Sequence, residues 1–131
     1  MSAEWLEDFQ VYVDRPKKLE SDPNGIDQHQ PGAKLDAGKL RPYLVMNGFK
    51  HALHHVWSNG TFGANKYTDN GWREVPNAQN RYLDAAFRHF EKWMLQEDRD
   101  NIDPESKTHH LAAMAWNILA VCELELISKD K

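Results

Sequence analysis

Apolar residues recur three or four positions apart in three stretches of this chain, and each stretch predicts an amphipathic helix. In the first stretch the apolar positions are Leu44, Val45, Phe49, Leu53, Val56 and Trp57. Pro42 suits the first turn of a helix, and Asn59-Gly60 is a typical helix stop. The pattern therefore predicts a helix over residues 42–58.

The second stretch predicts a helix over residues 78–96. Its apolar face is formed by Leu83, Ala86, Phe87, Phe90 and Met94. His89 lies beside that face, whereas Asp84 and Arg88 lie opposite it, one turn apart, where a plain surface ion pair could form. Asp84 and His89 point roughly 140° apart, so we do not expect them to bind one metal ion.

The third stretch predicts a helix over residues 104–127. Asp103 fits its N-cap, Pro104 its first turn and Glu105 the positive end of its dipole. One stripe of this helix is apolar, with Leu111, Ala115, Ile118, Leu119, Cys122 and Leu126. The other mixes small and polar residues: Ser106, His110, Ala113, Asn117 and Leu124. Two buried faces exceed what one small core covers, so we expect a homo-oligomer.

The segments between the predicted helices are rich in turn residues. Residues 21–32 and 61–77 are both punctuated by Gly, Pro and Asn, which predicts loops. Residues 1–20 mix aromatic and acidic side chains, so we expect an arm that packs on the body or on a second subunit. The prediction is an all-α, compact helical bundle of three to five helices with a long loop. Residues 1–32 would form the arm and linker, and residues 33–131 the helical domain.

Composition narrows the class of protein. A chain of 131 residues with 40% hydrophobic content suits one globular domain. The formal net charge of −4 argues against general binding of nucleic acid, which usually requires a basic excess. The single Cys122 forbids an internal disulfide and fits a reducing compartment. We find no signal-like segment and expect no apolar run long enough to span a bilayer, which predicts a cytoplasmic protein without membrane contact.

Two cationic segments suit the binding of phosphate. Lys34, Lys39 and Arg41 surround Gly38, although a solvated start of a helix would look the same. The loop at 61–77 combines Lys66 and Arg73 with Tyr67 and Trp72, which suits a nucleotide because aromatic rings stack on bases. The two aromatic residues could equally close over the core. The pair His51 and His55 has metal-ligand spacing but lacks the Glu of an H-E-x-x-H motif.

Four blocks of sequence, taken in order, resemble the dATP/dGTP diphosphohydrolases, a family found largely in bacteriophages. The first block is Lys34-Leu35-Asp36-Ala37-Gly38-Lys39, and the second is Gly63-Ala64-Asn65-Lys66-Tyr67 with the later Trp72. The third runs from Arg81-Tyr82 through Ala85 to Arg88-His89. The fourth contains Asp103, Glu105, Ser106, His110 and Asn117. No single block is specific to this family, but the occurrence of all four blocks in this order over residues 33–125 is.

The chain departs from the family pattern at three turns. Lys107 replaces the Gly after Ser106, Arg99-Asp100 replaces a Gly-Glu pair, and Thr68 replaces the Gly after the loop Tyr. The chain also lacks the His-Asp pair of HD-type triphosphohydrolases and the Glu-Glu-x-x-Glu helix of the all-α NTP pyrophosphohydrolases.

The resemblance implies a metal-dependent nucleotide pyrophosphohydrolase that releases diphosphate from dATP or dGTP. The expected catalytic and metal-binding residues are Asp103, Glu105 and His110, and hard oxygen ligands favour Mg²⁺ or Mn²⁺. The expected substrate-binding residues are Lys34, Lys39, Lys66, Tyr67, Trp72, Arg88, His89 and Asn117. If the chain is phage-encoded, it would act in the host cytoplasm.

Two other functions fit the same residues. A phage protein could sequester a nucleotide, for example a host-defence signal, without cleaving it. A helical interaction protein could instead use the histidine-rich surfaces to bind a partner protein.

Overall fold

The chain folds into four helices, as seen in a computed structural model that describes residues 19–128. They are α1 (Pro42–Gly48), α2 (Lys50–Lys66), α3 (Ala78–Leu95) and α4 (His110–Ser128), with short 3-10 turns at Gly71–Glu74 and Arg99–Asn101. Residues 19–128 contain no strand, only an isolated bridge between Ile102 and His109. The predicted all-α bundle is confirmed. The prediction of an N-terminal arm falls on residues that lie mostly outside the described range.

The first predicted helix has different bounds from those expected. It breaks at Phe49, and its second part continues to Lys66, past the predicted stop at Asn59-Gly60. A side chain at residue 60 would place its Cβ 2.9 Å from Nε1 of Trp116. Gly60 therefore allows α2 to lie close to α4, and it does not end the helix.

The last helix begins six residues later than predicted. The Asp103 carboxylate accepts hydrogen bonds from the backbone N–H groups of Glu105 and Ser106 (2.8 and 3.4 Å), as an N-cap would. Lys107 then adopts a left-handed conformation (φ 62°), and the chain turns back so that the Asp103 N–H donates to the Thr108 carbonyl (2.8 Å). The capping signal is real, but it closes a loop because Lys107 interrupts the helical path.

The buried apolar core among residues 19–128 consists of small side chains. α4 packs mainly along α3 and next along α2. The buried apolar residues are Ala86, Ala112, Ala113, Ala120 and Val121. The mixed stripe of α4, with His110 and Asn117, is the more buried one, whereas Leu111 and Ile118 of its apolar stripe stay 37% and 39% exposed.

α4 contradicts one expectation drawn from the sequence, which concerned the length of its apolar segments. Its 19 residues are long and apolar enough, by length and composition alone, to cross a membrane. The expectation that no apolar run reaches that length was wrong. Its buried stripe nevertheless carries His110 and Asn117 against the neighbouring helices, as in a helix of a packed bundle.

Candidate functional site

Two imidazoles and a carboxylate meet where α3, the loop at 96–109 and the start of α4 come together. One ligand atom each from His89, Asp103 and His110 lies within 4.8 Å of the others. The Nδ1 atoms of His89 and His110 are 3.0 Å apart, and Nδ1 of His89 is 4.0 Å from Oδ2 of Asp103. Because metal–imidazole bonds are about 2.0–2.1 Å long, both Nδ1 atoms are close enough to bind one ion.

Asp98 fixes the orientation of His110. Its Oδ2 lies 2.7 Å from Nε2 of His110, whose side chain is fully buried. Since a carboxylate accepts, Nε2 carries the proton of this hydrogen bond, and in that tautomer Nδ1 offers its lone pair. That lone pair faces Nδ1 of His89. A carboxylate behind a metal-binding histidine is a common way to orient the ligand and raise its basicity.

The protonation states of the other two groups favour metal binding. Burial lowers the pKa of His89, and the neighbouring His110 lowers it further, which favours the neutral ring. Burial acts to raise the pKa of Asp103, but the backbone N–H groups of Glu105 and Ser106 outweigh it and leave that pKa below its usual value. A neutral imidazole and an ionised carboxylate are the forms that coordinate a cation.

α2 holds the loop at 103–109 in place. The Thr108 side chain is fully buried, and its hydroxyl bonds to Oγ of Ser106 (2.7 Å) and to Oδ1 of Asn59 (3.3 Å). The backbone N–H of His109 donates to Nδ1 of His55 (3.0 Å). His55 therefore positions the loop instead of forming the metal pair with His51 that its spacing allowed.

An open groove runs from the cluster along α2, α3 and the loop at 67–77. Its volume is about 1140 Å³, and both His89 and Asp103 line it, whereas His110 lies beneath. Four cationic side chains line the groove, namely Lys66, Arg81, Arg88 and Lys92. The volume exceeds that of an ordinary small-molecule pocket, so a nucleotide can be accommodated together with its phosphates.

Aromatic side chains form one wall of the groove. The ring of Trp116 makes edge-to-face contacts with Trp72 and Tyr82, each with centroids 5.9 Å apart. The Tyr82 hydroxyl also donates to the Trp72 carbonyl (3.3 Å). These contacts hold Trp72 against the bundle and give the groove an apolar side. They do not decide between the two roles predicted for Trp72, stacking on a base and closing over the core.

Six of the eight predicted substrate-binding residues line the groove: Lys66, Tyr67, Trp72, Arg88, His89 and Asn117. Lys34 and Lys39 do not. The Lys34 backbone N–H donates to Asp22 (2.9 Å), and Lys39 pairs with Glu20 (3.2 Å). Both lysines thus belong to a separate turn-rich segment ahead of α1.

Glu105 lies at the groove but outside the ligand cluster. Its carboxylate pairs with Nζ of Lys66 at 2.7 Å, and this hydrogen bond raises the pKa of Lys66. The predicted set of Asp103, Glu105 and His110 therefore has two members in the cluster, and His89 is the third member. The expected proximity within one helical turn does not arise, because residues 103–109 form a loop.

Sequence reasoning did not include Asp98, Asn59, Tyr82 or Trp116 among the predicted site residues. Asp98 stands twelve residues before His110, and no helical or strand period connects them. Trp116 lies between the two stripes of α4, so its spacing gave no sign of the aromatic wall. Asn117 did carry a signal: it is buried, and its Nδ2 donates to the Ala113 carbonyl (2.8 Å), as a polar residue within a buried helix must.

Comparison with known families gives one match. Residues 29–131 match the family described as dATP/dGTP diphosphohydrolase, N-terminal. No curated protein and no solved structure gave a match to the chain.

Proposed function

Since the chain belongs to the dATP/dGTP diphosphohydrolase N-terminal family, we propose that it hydrolyses purine deoxynucleoside triphosphates in the groove beside His89 and Asp103. Release of diphosphate requires water to attack the α- or the β-phosphorus while the bond between that phosphorus and the α,β-bridging oxygen breaks. The site must then neutralise the phosphates, hold the base and bring water to the reacting phosphorus.

The observation that carries this proposal is the convergence of His89, Asp103 and His110. The donor set fits a divalent metal because Asp98 orients the ring of His110 and burial lowers the pKa of His89, which favours its neutral form. Two imidazoles with one carboxylate favour Mn²⁺ and later divalent ions over Mg²⁺, which prefers an all-oxygen shell. When bound, the ion would polarise phosphate and acidify a water molecule.

The cations of the groove support the assignment of phosphate binding to it. Arg88 directly precedes His89, and no acidic group among residues 19–128 lies within ion-pair distance of its guanidinium. The surface pair with Asp84 that the sequence allowed does not form. Arg88 is therefore available for charge-assisted hydrogen bonds with phosphate oxygens. Lys66 lies across the groove, where Glu105 sets its position.

The aromatic wall provides a surface for the base. Tyr67 is 73% exposed and lines the groove together with Trp72. Stacking on such rings contributes about 1–3 kcal/mol per base. We assign the base to this wall and the phosphates to the end that contains Arg88 and Asp103.

We also propose that the protein is a homo-oligomer that pairs through α4. Leu111, Ile118 and Cys122 follow a spacing of seven and four residues and remain exposed on one face of this helix. The described core contains only alanines and one valine as fully buried apolar side chains. Such a small core leaves apolar surface that a second copy would cover. Light scattering at tens of micromolar tests this proposal, and a monomer would contradict it.

The test of the function is a product analysis. The protein is incubated with each of the four dNTPs and Mn²⁺, Mg²⁺ or no metal, and the products are separated by chromatography. We expect dAMP or dGMP with diphosphate, and the highest rate with Mn²⁺. Tight binding without turnover in any metal would instead support sequestration of the nucleotide, and absence of binding would support an interaction protein.

A further inference from the structure

The segment around α1 exposes a continuous set of apolar side chains. We call Leu40, Tyr43, Leu44, Val45, Met46 and Phe49 the α1 face; their exposed fractions range from 47% to 84%. α1 has no buried residue, and its contacts with other helices are mainly with α2. Large apolar side chains in such a row are usually covered by another segment or molecule.

The surroundings of the α1 face are cationic. Residues 37–68 contain no Asp or Glu, whereas Lys39, Arg41 and Lys50 lie in or next to the face. The chain as a whole carries a formal charge of −4, so this segment contrasts with the rest of the protein. A covering partner should therefore be both apolar and acidic.

The described chain starts beside this face. The backbone N–H of Ala37 donates to the Ser21 carbonyl at 3.0 Å, and Glu20 pairs with Lys39 at 3.2 Å. Residue 20 is thus held next to residue 39, one position before Leu40. Residues 1–18 therefore join the described chain at residue 19, close to the α1 face.

These preceding residues have the required composition. Residues 4–14 read EWLEDFQVYVD and combine six large apolar side chains with four carboxylates and no Lys or Arg. The match to the family begins at residue 29, so this segment lies outside the shared domain. Residues 15–19 provide a link of up to roughly 17 Å when extended, and α1 is only about 10 Å long.

We propose that residues 4–14 dock on the α1 face of their own chain. The apolar side chains of this segment cover the α1 face, and its carboxylates lie near Arg41 and Lys50. The short link favours the same chain over a second copy, because it keeps the segment at a high effective concentration. The segment thus covers the apolar side chains of the α1 face, which the four described helices leave exposed.

Disulfide trapping in the full chain tests the contact. In a Cys122→Ser background, which removes the single native thiol, Phe9→Cys and Val45→Cys are combined and mildly oxidised. We expect a disulfide within one chain, detected at monomer mass. The control pairs Phe9→Cys with Arg99→Cys, since Arg99 is 97% exposed in the turn after α3. Equal trapping in both variants would overturn the docking.

The mass of the product distinguishes the possible occupants of the face. A cross-link at twice the chain mass would overturn docking within one chain, because the segment would then lie on a second copy. Failure of both variants to cross-link would also overturn the proposal.

A charge reversal tests the electrostatic part. Glu7→Lys with Asp8→Lys should lower the trapping yield of the Phe9–Val45 cysteine pair about twofold to fivefold, the scale of partly exposed ion pairs. Adding Lys50→Glu should restore part of it. Asp27→Lys, an exposed acidic position outside the segment, serves as the control and should leave the yield unchanged. An unchanged yield with the double reversal would remove charge complementarity from the proposal.

Discussion

Two regions of the described chain use their side chains in opposite ways. In the first region, formed by the loop at 96–109 and the start of α4, the polar residues Thr108 and His110 are fully buried. In the second region, formed by α1, apolar residues such as Tyr43 (73% exposed) face solvent, and no residue of the helix is buried. Each arrangement is costly by itself, so each indicates a partner: hydrogen-bonding groups in the first region and an apolar cover in the second.

The first region has its partners within the described chain. Nε2 of His110 lies 2.7 Å from the Asp98 carboxylate, and Nδ1 of His110 lies 3.0 Å from Nδ1 of His89, so both ring nitrogens have a polar neighbour despite the burial of the ring. A polar network of this kind rigidifies a site and holds its groups ready for a ligand. The comparison therefore separates the region that we assign to chemistry from the region that we assign to docking.

The largest expected effect contrasts His110, in the first region, with Lys34, in the turn-rich segment ahead of α1. His110→Ala should lower turnover of the preferred dNTP by at least about 100-fold, because loss of even an outer partner of a metal ligand costs 10–100-fold. Lys34→Ala should leave turnover unchanged, because Lys34 lies outside the groove. Steady-state rates, with circular dichroism to check folding, provide the measurement. A large loss in Lys34→Ala would show that the turn-rich segment ahead of α1 reaches the substrate.

The milder variant Asp98→Asn distinguishes a loss of metal binding from a folding defect caused by His110→Ala. It keeps the size of the side chain but weakens the charged acceptor for Nε2 of His110. We expect Mn²⁺ affinity to fall about 10–100-fold with little change in melting temperature. Calorimetric titration with Mn²⁺ measures the affinity directly, without relying on turnover.

The next effect concerns the phosphate end of the groove. Arg88→Ala should weaken binding of dATP or dGTP about 10–100-fold but leave binding of the nucleoside unchanged, since hydrogen bonds to charged groups contribute about 1.5–3 kcal/mol. Arg99→Ala, outside the groove, is the control. Equal losses for nucleotide and nucleoside would mean that Arg88 supports the groove without touching phosphate.

A smaller effect tests the close approach of α2 and α4. Gly60→Ala should lower the free energy of unfolding by about 1–3 kcal/mol, because Trp116 is held by Trp72 and Tyr82 and cannot move away easily. Gly63→Ala, in the same helix with open space around it, should raise that free energy by about 0.5–1 kcal/mol. Urea denaturation of both variants decides whether Gly60 is needed for packing.

The smallest effect concerns the loop that carries Asp103. Lys107→Gly should raise the free energy of unfolding by about 1 kcal/mol, because Lys107 has a φ of 62°, which strains every residue type with a side chain. Lys92→Gly, the same replacement within α3, should lower it by about 1 kcal/mol. Opposite signs in urea denaturation would support the left-handed turn, and a loss in both variants would contradict it.

The sequence by itself determined the helical class and much of the groove. Apolar spacing located all three helical stretches, because burial of one helix face imposes that period on any sequence. Motifs of residue type and order pointed to Asp103 and His110, which lie in the cluster, and to six of the predicted substrate-binding residues, which line the groove. The left-handed turn was also visible in part, since Lys107 stands where the related family has Gly.

The tertiary structure decided which groups meet. His89 joins the cluster instead of Glu105, because α3 and α4 pack with those two histidines opposite each other, twenty-one residues apart in the chain. Asp98 orients His110 only because the intervening loop folds back, and Gly60 continues a helix only because Trp116 lies against it. Local patterns record the preferences of single elements, whereas these contacts depend on how separate elements pack, so the sequence pattern alone did not reveal them.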